Sequence, residues 1–307
     1  MERRRWPGTR IECSRLGWRV SSKELSRPSW LAPTLARSWE RGVDLLDASP
    51  LAGNPAHEAR LWSALPRGPA WGRVLVGRTL GEGGGSERAD RSLEGLRDRL
   101  PPGWEIWVAL GNRDRHTAPT ESEIDRIASL VADGHLDGWG WSEPVGSDVP
   151  PGRPDPGFAI ASFSWSEPPP EPPRSRERTA WIASDLGAEG LRHGTELAGP
   201  LRLSPGAPGG GPTPLRELRR ELDPILALQG LVVPHRRTLA QAALQWASSH
   251  PEWDAILFPL PAPERLEEIL SFERTPAWSE ADQAVVELVY GPRLGSEAGG
   301  LRPRNSR

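Results

Sequence analysis

Short apolar runs alternate with amphipathic segments along most of this chain. Arg15 to Val20 (RLGWRV), Val43 to Leu46, Arg73 to Arg78 (RVLVGR) and Trp104 to Leu110 (WEIWVAL) read as strands, as do Leu136 to Ser142 (LDGWGWS), Phe158 to Phe163, Thr179 to Ser184 (TAWIAS) and Asp254 to Phe258. All are short and set off by breakers, as buried strands are. Pro33 to Arg41, Ser86 to Leu100, Glu121 to Gly134, Leu215 to Leu228, Leu239 to Ser248, Pro263 to Phe272 and Ser279 to Val289 read as helices. Strand and helix in alternation mean βα units and a parallel sheet. Eight strand starts make the economical α/β architecture a closed (β/α)8 TIM barrel, which leaves no sheet edge exposed; a doubly wound sheet is the alternative.

Residues 1–290 are expected to form one such barrel domain, opened by a short ribbon over residues 1–14. The Pro-rich stretches 150–156, 166–178 (with EPPPEPP) and 201–214 read as extended loops, and 291–307 as a frayed, disordered tail.

The informative stretch is Val43 to Leu65, VDLLDASPLAGNPAHEARLWSAL. Its apolar run ends in Asp47, a carboxylate at the carboxyl end of a strand, where parallel α/β folds place their chemistry. Ala48 to Asn54 forms a loop broken by Pro50 and Gly53, and Ala59, Leu61, Trp62 and Leu65 then give a helical apolar face. A lone Asp in this place is more often a helix cap or loop residue than a catalyst.

Composition narrows the function. A formal charge of -3 and a pI near 6.1 leave no basic footprint for nucleic acid. The single cysteine, Cys13, has no internal disulfide partner, and no Cys/His group has zinc spacing, so a reducing cytoplasmic compartment without a structural metal is expected. No segment approaches a membrane span, and MERRRWPGTR is followed by no apolar signal region. The chain holds one Lys (Lys23) and one Tyr (Tyr290), so chemistry that needs a Lys beside a Tyr must use those two.

Smaller signals are read conservatively. GEGGGS at 81–86 lacks GK[ST] and is a flexible loop rather than a phosphate cradle. His57 and Glu58 are adjacent on a helix, point apart, and fit capping or surface roles. Arg113, Asp114, Arg115 and His116 are read as a solvated loop. Trp107, Trp139 and Trp141 are read as core or barrel filling, and EPPPEPP as a stiff linker.

Several motifs, in order, resemble those of the aldo-keto reductases between about Ser14 and Phe272. SRLGW at 14–18 is similar to that family's opening strand, and GVDLLDAS with HEARLWSAL at 57–65 to its Asp strand and the following SE-x-x-L-G-x-A-L helix. LDGWGWSEP resembles the strand ending in Ser-Asn or Ser-Glu, and AWIASDLGAEGL at 180–191 the A-Y-S-P-L-G segment. Thr238 to Glu268, TLAQAALQWASSHPEWDAILFPLPAPERLEE, resembles the T-x-A-Q-x-A-L-x-W helix and the last barrel strand. The resemblance implies a (β/α)8 barrel that binds NADP(H) in extended form and passes hydride to a carbonyl.

It also says where to look. Hydride attack builds an alkoxide, which needs a proton donor: in the family a Tyr, assisted by a Lys that an Asp holds and by a His that orients the carbonyl. Asp47 matches the family Asp, but the Tyr position is Ala52, the Lys position Arg78, and the His position Leu110 or Gly111. Ser142, Ser184 and Leu186 match positions around the nicotinamide and pyrophosphate, and Glu268 a residue near the adenine. Ala183 stands for the ring that stacks on the nicotinamide, Ser162 for the Gln that binds its amide, and Ile269 for an Asn; Pro259, Leu260 and Pro261 replace the loop that binds the 2′-phosphate. Weak or absent NADP(H) binding is implied.

The leading expectation is therefore a catalytically impaired barrel, a pseudoenzyme acting as a binding or interaction protein, with a small-molecule ligand and neither nucleic acid nor membrane as partner. Asp47 is expected to survive as a structural acid paired with Arg78. One alternative is an NADP(H)-dependent oxidoreductase with altered machinery, in which Arg78 and Asp47 stabilise the alkoxide and water or His57 supplies the proton. Another is cofactor-free chemistry on an acidic small molecule in the same pocket, anchored by Arg78.

Overall fold

The computed structural model describes residues 1–7, 12–51, 54–67, 72–79, 93, 95–111, 121–142, 157–162, 179–184, 228–232 and 236–290. Strands β1 (Arg3–Arg5) and β2 (Glu12–Ser14) pair antiparallel as a ribbon. The barrel strands follow: β3 (Leu16–Arg19), β4 (Leu45–Asp47), β5 (Gly72–Thr79), β6 (Trp104–Gly111), β7 (Gly138–Ser142), β8 (Phe158–Ser162), β9 (Ala180–Ser184) and β10 (Ala255–Pro259). These eight pair in parallel, in chain order, and β10 closes onto β3. The chain is thus a (β/α)8 barrel, and each barrel strand lies where the apolar runs predict it.

The described helices are α1 (Ser22–Leu25), α2 (Pro28–Glu40), α3 (Pro55–Ala64), α4 (Glu121–Ala132), α5 (Leu239–Ser249), α6 (Pro263–Leu270) and α7 (Glu280–Tyr290). Their starts follow local chemistry. Pro28 and Pro55 occupy first-turn positions, where the missing N–H costs nothing, and the Asn54 side chain accepts from the His57 N–H at 3.2 Å. His57 therefore takes part in a capped first turn, the role its position predicts, while Glu58 beside it is buried. The short α1, not foreseen in the pattern, is set by a capping box between Ser21 and Glu24. No helix of the described residues is long and apolar enough to cross a membrane.

Two compact units divide the chain. The first, residues 1–162, 171–184 and 250–270, contains the whole barrel. Alternation along its strands sends Leu45, Leu75, Trp107, Ala109, Phe158, Ile160, Ala180, Ile182, Ala255 and Leu257 into one buried cluster with Trp6 and Cys13 of the ribbon. Trp6, Trp107 and Phe158 meet with ring centroids 5.6 to 6.1 Å apart. Glycines make the room: a Cβ on Gly138 would lie 2.2 Å from the Trp107 ring, and one on Gly17 would lie 2.9 Å from Leu45 and Leu257. Trp107 is thus barrel filling as expected. Trp139 and Trp141, two residues apart on the outer face, pack edge-to-face on one another at 5.0 Å.

Polar groups close the amino-terminal floor. Asp44 accepts from the Ser14 N–H at 2.7 Å and from Arg3 Nη2 at 2.7 Å, and its Oδ2 lies 3.7 Å from Arg73 Nη1. Arg73 also pairs with Glu105 at 2.9 Å and donates to the Glu12 carbonyl at 3.0 Å. Burial, with the Asp44 carboxylate nearby, pushes the Cys13 thiol beside this network up to about 12.

The second unit comprises residues 163–170, 185–249 and 271–307. Within it the buried Arg237 forms a two-pronged pair with Asp282 of α7, and Gln245 of α5 donates to the Phe272 carbonyl at 2.6 Å. The loops 150–156, 166–178 and 201–214, GEGGGS at 81–86, the Arg113–His116 cluster, the helix expected at Leu215, most of the helix expected at Ser86 and the tail 291–307 lie outside the described residues.

Candidate functional site at the carboxyl mouth of the barrel

A strand that ends facing inward presents its last side chain at the barrel mouth, so the site can be built by counting in twos from interior residues. From Leu45 the count reaches Asp47; from Gly17, Arg19; from Gly140, Ser142; from Ile182, Ser184; from Leu257, Pro259. All five belong to the first unit and stand at the carboxyl ends of their strands. Arg19 and Asp47 are register partners on adjacent strands, and Arg19 and Pro259 are partners on the other side. Ser142 is on β7, four strands from β3 in a ring of eight, and so on the opposite wall.

Asp47 is 1% exposed. Its Oδ1 accepts from the Ser49 N–H at 2.9 Å, which turns the chain out of the strand, and its Oδ2 lies 3.4 Å from Arg19 Nε. The backbone around the pair is fixed as well: Val20 N–H donates to the Asp47 carbonyl at 2.9 Å, Leu260 N–H to the Arg19 carbonyl at 3.0 Å, and Ala48 N–H to the Leu75 carbonyl at 2.8 Å. The Arg19 side chain keeps 24% of its surface exposed. The carboxylate is therefore enclosed and its guanidinium partner stands towards solvent.

The remaining sequence-derived positions separate. Of the two candidates for the His position, Leu110 is buried on the outer face opposite Trp141, and the inward count from Trp107 and Ala109 falls on Gly111, which has no side chain. Arg78 is on β5 opposite Leu110; its side chain, like Ala52 and Leu186, lies outside the described residues. Ser184 is buried, and its hydroxyl donates to the Ala161 carbonyl at 3.3 Å. Ala183 alternates with it onto the outer face and is buried. Glu268 of α6 is held by Arg265 through two hydrogen bonds of 2.6 and 3.0 Å. Ile269 is buried. Lys23 is exposed on α1, four residues beyond Arg19.

Among the described side chains it is Arg19, a residue that sequence reasoning passed over, that lies beside Asp47, while the expected partner Arg78 has its side chain outside the described residues. The signal was present: Arg19 ends its apolar run as Asp47 ends the next one, and parallel pairing of successive strands in register brings such ends together.

No protein-family model matches this chain, and no curated protein matches it. Solved structures do. The aldo-keto reductase AKR11C1 from Bacillus halodurans in its holo form is 14% identical, with a TM-score of 0.61 over 94% of this chain and 96% of that one. Its apo form is 12% identical, with a TM-score of 0.58 over the same shares. This chain carries the aldo-keto reductase barrel fold, as its motif order implies.

Proposed function

We propose that this chain is a binding protein on the aldo-keto reductase fold: its barrel mouth holds a small polar molecule and lacks the proton relay of a carbonyl reductase. The observation that carries the reading is the pairing of the enclosed Asp47 with Arg19. A proton donor works best with a pKa near the operating pH, whereas a guanidinium keeps its proton throughout the physiological range. Ala52 and either Leu110 or Gly111 add no titratable group where the family's Tyr and His stand, and Arg78 stands for its Lys. Asp47 then serves to hold Arg19 in one orientation.

The residues at hand do not fit a nicotinamide dinucleotide held in the family's manner. Ala183 offers no ring and is buried, Ser184 spends its proton on Ala161, and Glu268 is engaged by Arg265. Pro259 and Pro261 have no N–H to give a 2′-phosphate. With its single cysteine, the protein is assigned to the cytoplasm under the same proposal.

Titration of NADPH against the purified protein, followed by nicotinamide fluorescence, tests the reading. The expected result is no saturable enhancement and no NADPH consumption with a simple aldehyde such as 4-nitrobenzaldehyde. Saturable binding with turnover would overturn it.

A further inference from the structure

We infer that α7 is a latched helix: the Arg237–Asp282 pair holds it in place, and loss of the charge on Asp282 releases it as one unit while the barrel stays folded. The apolar hold on this helix is thin. It packs on the 3-10 turn Leu228–Leu231, where a Cβ on Gly230 would stand 3.4 Å from Val285 Cγ1. Among the described side chains of α7 only Val286 is fully buried, whereas Ala281, Ala284 and Leu288 face water, Leu288 with 86% of its surface exposed. In α5, by contrast, eight of the eleven residues are buried. A segment with few buried apolar contacts opens locally at a lower cost than the core.

The charged hold is much firmer. The Arg237 side chain is 2% exposed. Its Nε–H donates to the Leu231 carbonyl at 3.0 Å, and its two terminal nitrogens donate to the two oxygens of Asp282, Nη1 to Oδ2 at 3.0 Å. The Trp278 ring lies 5.9 Å from the guanidinium carbon. Asp282 Oδ2 also accepts from the Ser279 N–H at 2.9 Å and from its hydroxyl at 2.8 Å, and the Asp282 N–H donates back to that hydroxyl at 3.2 Å. One carboxylate thus caps the first turn of α7 and ties the helix to the turn beneath it.

A guanidinium keeps its proton, so Asp282 is the partner that can change state. Once it is neutral, Arg237 is a buried charge without its counter-charge, and lifting α7 away returns it to water. Among the described residues, the groups that face Asp282 are Arg237 and the Ser279 hydroxyl; the turn Leu228–Leu231 brings no charged side chain, and Glu280 and Glu287 are the other acids of α7. Burial raises the Asp282 carboxyl, but its bonds to Arg237 and Ser279 outweigh that and hold it below its ordinary value of 3.8. The latch is therefore set above that value and is lost as pH falls below it, through the folded value.

Hydrogen exchange of the full chain, read by mass spectrometry and corrected for intrinsic rates, tests the latch. The amides of α7 are expected to exchange together and ahead of those of β5 and β6. Asp282→Asn strands Arg237 and is expected to speed α7 exchange by about a hundredfold or more, with β5 and β6 unchanged. The double variant Arg237→Met/Asp282→Asn strands no charge, and is expected to bring α7 back to within about tenfold of the unaltered protein. It should also remove the loss of α7 protection that the unaltered protein shows between about pH 5 and about pH 2.5. Exchange of α7 only together with β5 and β6, unchanged α7 protection in Asp282→Asn, or a double variant as open as the single one would overturn the inference. So would an Asp282→Asn protein that fails to fold at all, since the pair would then hold more than α7.

Discussion

The two ends of this barrel use charge in opposite ways. At the floor, Asp44, Arg73 and Glu105 stand next to the aromatic plug of Trp6, Trp107 and Phe158, and the β1–β2 ribbon supplies Arg3, the Ser14 N–H and the Glu12 carbonyl to complete their contacts. At the mouth the acid is enclosed but its cation reaches solvent. A closed network stabilises by leaving no charge unpaired, whereas a cation that keeps part of its surface in water keeps part of its hydration. Charged residues inside a barrel are thus not evidence of chemistry in themselves; the end at which they stand, and what covers them, separates the roles.

Substitutions at the two ends break the comparison in different observables. Trp107→Ala empties the centre of the floor plug and is expected to cost about 3–5 kcal/mol in denaturant unfolding. A loss below about 1 kcal/mol would mean that the plug is not what holds the floor. Arg73→Ala leaves Asp44 and Glu105 without their shared cation and is expected to cost about 3 kcal/mol, with any ligand binding at the mouth untouched in protein that remains folded. Loss of mouth binding at full stability would erase the distinction between the ends.

Asp47→Asn is milder, because Arg19 retains part of its hydration and the amide oxygen can still accept from Ser49: about 1–2 kcal/mol. Unchanged stability together with loss of a measurable enzymatic activity would return Asp47 to catalysis.

The effect that vanishes at neutral pH is confined to alkali. The folded Cys13 thiol titrates near 12 against an ordinary value of 9.0, because burial and Asp44 disfavour the thiolate. Between those pH values the unfolded chain releases a proton that the folded chain keeps, so stability falls as pH rises from about 9 towards 12, and is unaffected below. Native protein at pH 8 is expected to leave a thiol reagent unreacted until denaturant is added; prompt labelling of the folded protein would show that the floor opens.

Much of the fold was legible in the chain. The apolar run around Asp47, the breakers at Pro50 and Gly53 and the seven other runs are local signals, and period-two burial carries them into strands whatever the rest of the chain does. The place of Asp47 at the end of β4 follows from the same pattern. Its neighbour does not: Arg19 is 28 residues away in sequence and becomes a partner only through the register of β3 on β4.

The choice between Leu110 and Gly111 has the same origin. Adjacent residues differ by face, and face is set when Trp107 turns into the barrel against Gly138. The floor network likewise combines residues from the ribbon and from β5 and β6 that lie far apart in the sequence. The chain by itself determined the number, order and punctuation of its strands, because these depend on local periodicity. Only the tertiary structure brought Arg19 to Asp47 and gathered the floor network, because closing the barrel sets the register that brings distant residues together.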